Sequence, residues 1–354
     1  TRGERFQLFP LAESDLANPL PAGRVRLPGT AAGEPIPERF AVDSLALPGG
    51  GPDGVAMDYL LYDPRTDAVW VPAGNTGAVD VVDATTRTLT RITGLATREV
   101  ERGGAKRRLG PSAAALGPPG TVYIGNRGDS SVCAYDERTR ARGACVTLDA
   151  APDGLAYVAR TRELWVTTPR DQSLRVLDGA TLAQRARIAV PGAPEGFAVD
   201  DARGRFYTNL EDHDATLAID VATRAIAATW HPACGAEGPR GLRLADADGV
   251  LIVACTDRLV ALDVGQDGAI RSAIATGAGI DDLDYAPATR TVYAGAAGAG
   301  TLTIATLAPG GQLHARATVP TAPGARNGVV SRAGVVFLAH ARGSALVVVR
   351  QLPR

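Results

Sequence analysis

The sequence predicts an all-β chain made of repeated units, and three observations carry that prediction. A compound motif recurs: a turn of the form Pro-acid-Gly, a short apolar run, a polar turn, a second apolar run, a polar loop, and a third run ending in Asp. Its clearest copy is Gly192-Ala-Pro-Glu-Gly-Phe-Ala-Val-Asp200 with Arg205-Phe-Tyr-Thr-Asn209 and Thr216-Leu-Ala-Ile-Asp220. The copies lie roughly forty residues apart, a period that marks a β-propeller. The runs themselves are short and β-branched, as in Ala68-Val-Trp-Val71 and Thr121-Val-Tyr-Ile124, and sustained helical periodicity is absent.

Taken in order, residues 1–37 are rich in Pro, Gly and Ala and read as an extended arm without a core of its own. Arg39 to Leu47 alternates as a strand does. Seven units then begin at Asp53, Ser112, Asp153, Glu195, Arg240, Asp281 and Asn327, so that 38–354 is expected to form one seven-bladed propeller. Within the units, Asp63-Pro-Arg-Thr-Asp67, Asp201-Ala-Arg-Gly204 and Asp246-Ala-Asp-Gly249 are tight turns, where Asp, Gly and Pro supply preset or positive φ. A charged stretch, Thr97 to Arg108, interrupts the period between the first two units. It reads as solvated surface, or alternatively as a flap over the channel mouth. The last unit lacks an outer strand, and the strand at Arg39–Leu47 is expected to close the ring, leaving no edge unpaired.

Composition narrows the function classes. The formal net charge is -1, which argues against a nucleic-acid partner, whose phosphates call for a basic surface. No apolar run approaches the roughly 18 residues of a membrane helix. Thr1-Arg-Gly-Glu-Arg5 is not followed by the apolar region of a secretory leader, which fits a trimmed chain. The four cysteines fall in two local pairs. Cys133 and Cys145 count as opposite one another across a hairpin, and Cys234 and Cys255 bracket neighbouring strands. Disulfides and a periplasmic or secreted location follow from that reading, with buried free thiols as the alternative. The chain is expected to be monomeric.

The lead-in turns, the Val-rich runs ending in Asp83, Asp136, Asp178, Asp220 and Asp263, and the count of seven resemble the bacterial YncE-like, or YVTN-repeat, propellers. The resemblance spans about residues 38–350. Phe206-Tyr-Thr-Asn209 is the nearest approach to the literal repeat. It implies the fold and an exported protein, and it assigns no reaction.

In a propeller the first strand of each blade lines the central channel, and its lead-in turn opens on the same face as the loop between second and third strands. The mouth is therefore expected to gather Asp53, Ser112, Asp153, Glu195, Arg240, Asp281 and Asn327. Crowded carboxylates must bind a cation, raise their pKa values or be separated by water. Asp53, Asp153, Glu195 and Asp281 are thus candidate ligands of Ca²⁺ or another divalent cation, the alternative being a hydrated channel. Arg127, Arg170, Glu211, His213, Arg240 and Asn327 are candidate ligand-binding groups. The two arginines are suited to clamp a carboxylate or phosphate. His340 and Glu195 are the candidates for acid–base chemistry. No Gly-x-Ser-x-Gly, His-Glu-x-x-His or phosphate loop occurs. Two functions are expected from this pattern. One is a propeller binding a small polar molecule, a metal ion or a protein partner. The other is a metal-assisted hydrolase, lactonase or lyase.

Overall fold

The structure is a computed structural model that describes residues 38–353; the arm expected at 1–37 lies outside the described residues. Seven four-stranded antiparallel sheets follow one another along the chain. From channel to rim, blade 1 is Leu61–Asp63, Ala68–Ala73, Ala78–Asp83 and Leu89–Ile92. Blade 2 is Pro111–Leu116, Thr121–Asn126, Ser131–Asp136 and Arg142–Thr147. Blade 3 is Leu155–Val158, Glu163–Thr168, Ser173–Asp178 and Gln184–Ala189. Blade 4 is Pro194–Asp200, Arg205–Leu210, Ala215–Asp220 and Ile226–Trp230. Blade 5 is Leu242–Ala245, Val250–Ala254, Arg258–Asp263 and Ala269–Ala275. Blade 6 is Ile280–Ala286, Thr291–Ala296, Thr301–Leu307 and Leu313–Pro320. Blade 7 is Ala325–Val330, Val336–His340 and Ala345–Gln351, with Phe40–Ala46 as its outer strand, paired Phe40 to Gln351 through Ala46 to Ala345.

The middle strands of each blade are buried on both faces. Ala68–Ala73 and Glu163–Thr168 are covered along their whole length, whereas the outer strand Arg142–Thr147 is mostly exposed. Alternate residues of a strand point to opposite faces, so neighbours serve different blade interfaces. Phe206 stacks on Trp165 of blade 3 while Tyr207 stacks on Trp230 toward blade 5. One apolar cluster fills each interface between adjacent blades. This is why the core is Val, Leu, Ile and Ala: a wedge between two sheets has room for branched residues and few rings.

The terminal Asp of the third strands has a local cause. Its Oδ1 accepts the backbone N–H groups two and three residues on: Thr85 and Thr86 for Asp83, Arg138 and Thr139 for Asp136, Ala180 and Thr181 for Asp178, Ala222 and Thr223 for Asp220. Such Asx turns fold the chain back into the outer strand. The next residue then takes a positive φ, 62° at Arg87 and 60° at Arg224. These backbone donors, chiefly that of Thr181, hold the Asp178 carboxyl at about 2.

The charged interruption is a two-stranded hairpin, Arg98–Arg102 against Ala105–Leu109, turned at Gly103-Gly104, both at positive φ. That geometry matches a type I′ turn, for which Gly-Gly is suited. Both disulfides are present, Cys133–Cys145 within blade 2 and Cys234–Cys255 between the lead-in loop and second strand of blade 5. No helix among the described residues is long and apolar enough to cross a membrane.

Candidate binding site at the channel mouth

In blades 2, 4, 6 and 7 the inner strand starts with a bulge. The ladder shifts register between Pro111 and Ala113, Pro194 and Phe197, Ile280 and Leu283, and Arg326 and Gly328. A bulge leaves a residue unpaired and redirects its side chain. Ser112, Glu195, Asp281, Asp282 and Asn327 occupy these bulges, and Asn327 takes a φ of 48°. The Gly after the acid has a packing reason. A Cβ at Gly154 would sit 2.1 Å from the Phe197 ring, and one at Gly241 would sit 2.6 Å from the Asp282 Cα. Neighbouring inner strands approach too closely there for any side chain.

Several polar clusters result. Arg127, from the loop after the second strand of blade 2, bonds Asp58 Oδ2 at 2.7 Å and also contacts Asp153. The Asn327 amide donates to Asp281 Oδ2 at 2.9 Å and to Asp58 Oδ1 at 3.2 Å. Arg326 reaches Asp281 at 3.3 Å, and Arg240 bonds Glu211 at 2.6 Å. Deeper in the channel, Arg243 holds Asp282 at 3.1 Å and Asp284 at 3.2 Å. Tyr59 donates its hydroxyl to Glu195 Oε1 at 3.0 Å, and its ring meets Phe197 with centroids 5.6 Å apart. Tyr59 is buried, and both rings belong to the apolar cluster of the blade 2 and blade 3 strands.

Charge crowding follows. Burial and then the negative neighbours Asp58, Asp281 and Glu211 push the Glu195 carboxyl up to about 8, against the pull of Arg127. Burial, with Glu195 and Asp58 nearby, raises the Tyr59 phenol well above its ordinary value. Burial opposes the charge of Arg127, but Asp58, Glu195 and Tyr59 more than restore it. The mouth therefore holds Glu195 mostly protonated at neutral pH beside a permanent guanidinium.

Several expectations are corrected. Asp53 lies in an exposed turn, Gly51–Asp53, and its place is taken by Asp58. The literal Pro52-Asp53-Gly54 match misled, because the segment leading into the inner strand Leu61–Asp63 is Met57-Asp58-Tyr59, whose Tyr59 bridges to Ala113. Counting back from the second strand finds it: Leu61 pairs with Trp70 as Ala156 pairs with Trp165, which makes Asp58 the counterpart of Asp153. The metal set also fails, since among the described residues no three His, Cys, Asp or Glu side chains are grouped to hold an ion. Arg127 is no open anion clamp, because two carboxylates occupy it. Arg170 is exposed in the turn Pro169–Asp171. His213 is exposed and pairs with Asp212 at 2.9 Å. His340 ends the second strand of blade 7, opposite Ala325 and Ala345. Asp153 meets Arg127, Asp281 meets Asn327, Arg240 meets Glu211, and Glu195 feels the charges of Asp58, Asp281 and Glu211. Tyr59, Phe197, Arg243, Asp282 and Arg326 were missed, because reach across the channel has no sequence signature.

No family model and no curated protein matches the sequence. Solved structures share the fold. A chain of the mitotic checkpoint complex is 14% identical, with a TM-score of 0.69 over 99% of this chain and 98% of that one. Hydrazine synthase of Kuenenia stuttgartiensis is 14% identical, with a TM-score of 0.69 over 85% and 96%. Virginiamycin B lyase from Staphylococcus aureus is 12% identical, with a TM-score of 0.69 over 89% and 100%. Identities this low carry the architecture and no chemistry. Together with the sheet order they establish the chain as a seven-bladed β-propeller.

Proposed function

We propose that the protein is an exported, YncE-like propeller that binds a small polar ligand at the mouth of its channel. The observation that carries this reading is the convergence of polar groups from different blades: Asp58 and Asp153 on Arg127, Asp281 and Asp58 on Asn327, and Tyr59 on Glu195. Convergent polar groups on a rigid scaffold are where small molecules bind. Export is supported by the two disulfides, which persist in oxidising compartments. Equilibrium binding of small polar molecules, followed by the melting temperature, tests the reading. A ligand that stabilises the parent protein and fails to stabilise Arg127→Ala supports it. A panel of charged and neutral small molecules that leaves the melting temperature unmoved overturns it.

A second reading has its own observation. Glu195 titrates near neutrality and is hydrogen-bonded to Tyr59. A carboxyl with its pKa near the working pH is suited to general acid–base catalysis. A hydrolase or lyase would then use Glu195 and Tyr59, without His340, which lies outside the pair. Turnover of lactones, esters and cyclic esters by the parent protein, abolished in Glu195→Gln, distinguishes this from binding alone.

A further inference from the structure

We propose that the ligand of this mouth is an organic cation, a small molecule that presents an alkylammonium or comparable N–H donor to a ring of acceptors. The inference rests on the mouth being a binding site and goes on to name the chemical class that fits it.

The hydrogen-bonding inventory points one way. Each arginine here is already paired with a carboxylate, Arg127 with Asp58 and Asp153, Arg240 with Glu211, Arg326 with Asp281 and Arg243 with Asp282 and Asp284, and the Tyr59 hydroxyl donates to Glu195. Buried acceptors are left over. Asp153 Oδ2 and Asn327 Oδ1 are buried and have no hydrogen-bond partner, in residues only 6% and 3% exposed. Ser112 Oγ is in the same position. Buried acceptors left unpaired are costly, and a ligand that brings N–H groups satisfies them.

Charge agrees with this inventory. With Glu195 mostly protonated, Asp58, Asp153, Glu211, Asp281 and Asp282 still outnumber Arg127, Arg240, Arg243 and Arg326, so the mouth favours a cation. A bare metal ion fits poorly. Ca²⁺ takes about six to eight oxygens in one shell, whereas no three of these acids are grouped to hold an ion. Acceptors spread around a ring suit the directional donors of an ammonium. An arriving cation also favours the ionised form of Glu195, so binding near neutral pH releases a proton.

Calorimetry with three probes of one carbon skeleton tests the proposal: butane-1,4-diamine, butane-1,4-diol and succinate. It uses the full disulfide-bonded chain at pH 7 in two buffers of different ionisation enthalpy. The expected result is one-to-one binding of the diamine with proton release, at least tenfold weaker in Asn327→Gly, and without proton release in Glu195→Gln. Glycine suits the positive φ at Asn327. Glu211→Gln, on the rim, replaces Asn327→Gly should that variant not fold, as judged by its melting curve. Diol or succinate binding more tightly than the diamine, with the same sensitivity to the variants, overturns the cation inference and leaves the mouth as a binding site. Diamine binding of equal strength in parent and variants overturns it as ordinary surface charge. Silence from all three probes overturns both readings.

Discussion

The hydroxyl of Tyr59 in blade 1 donates to Oε1 of Glu195 in blade 4, 136 positions further along the chain, at 3.0 Å. The bond spans the channel and ties together two blades that share no interface. Tyr59→Phe removes one hydrogen bond at a partly buried site and is expected to cost about 1 kcal/mol in urea unfolding. A donor to a carboxylate favours its ionised form, so the same variant is expected to titrate Glu195 higher than about 8. Carbon-detected NMR of the glutamate carboxyls checks this, and an unchanged midpoint would refute the coupling.

Stability should be greatest in mild acid. Glu195 is raised from 4.5 to about 8 and buried Asp80, beside Arg91, from 3.8 to about 6. Both bind protons more tightly in the folded state, so the stability they contribute is full below about pH 4 and is lost as pH rises through 6 and 8. Asp171 and Asp178 are lowered from 3.8 to about 2. Their contribution is present above pH 4 and is lost as pH falls toward 2. The melting temperature should therefore be higher at pH 5 than at pH 8.5, and Glu195→Gln should flatten that decline. A melting temperature that rises from pH 5 to 8.5 contradicts the assignment.

Arg127 bridges Asp58 and Asp153, acids from two different blades. Arg127→Ala strands both, and removing one partner of a largely buried charge pair costs about 3 kcal/mol. Arg127→Lys should recover only part, because an ammonium lacks the planar fork that reaches two carboxylates at once. Chemical denaturation of both variants measures this, and an alanine variant as stable as the parent would show that the network carries no stability.

The Cys234–Cys255 bridge closes a loop with a sequence separation of 21. Replacing both with Ala should lower stability by roughly 3 kcal/mol on the loop-entropy account. The loop leads directly to Arg240, so the pairing of Arg240 with Glu211 should loosen as well. Hydrogen exchange at residues 231–241 reports the second effect. Intact-mass comparison before and after reduction confirms the two bridges in the parent.

Deleting the chain through Ala46 removes the outer strand of blade 7 and its ladder to Ala345–Gln351. An unpaired sheet edge is left open to other chains. The truncated protein is expected to melt lower and to aggregate. A truncation that melts like the full chain would remove this strand from the account of the fold.

The blades were legible because their signals are local. The Asp that caps the third strands of blades 1 to 5, the Gly that admits the next inner strand, and the β-branched runs between them are each set within a few residues. The cysteine pairs were legible for the same reason, since a hairpin fixes which residues face each other. Blade 1 was misread at Asp53 because the motif was matched by composition, whereas position is fixed by pairing with the second strand through Leu61 and Trp70.

The sequence by itself determined a seven-fold repeat, its turns, its disulfides and, outside blade 1, the position in the repeat that stands at the channel. Closure of the ring decided the rest. Whether Arg127 is an open clamp or a bridge, whether four acids form a metal site or a chain of separate pairs, and whether Glu195 is charged all depend on groups brought from distant blades. The physical reason is that a carboxyl's charge state and partners are set by what lies within a few ångströms in space. At the axis of a propeller those neighbours come from blades far apart in the chain.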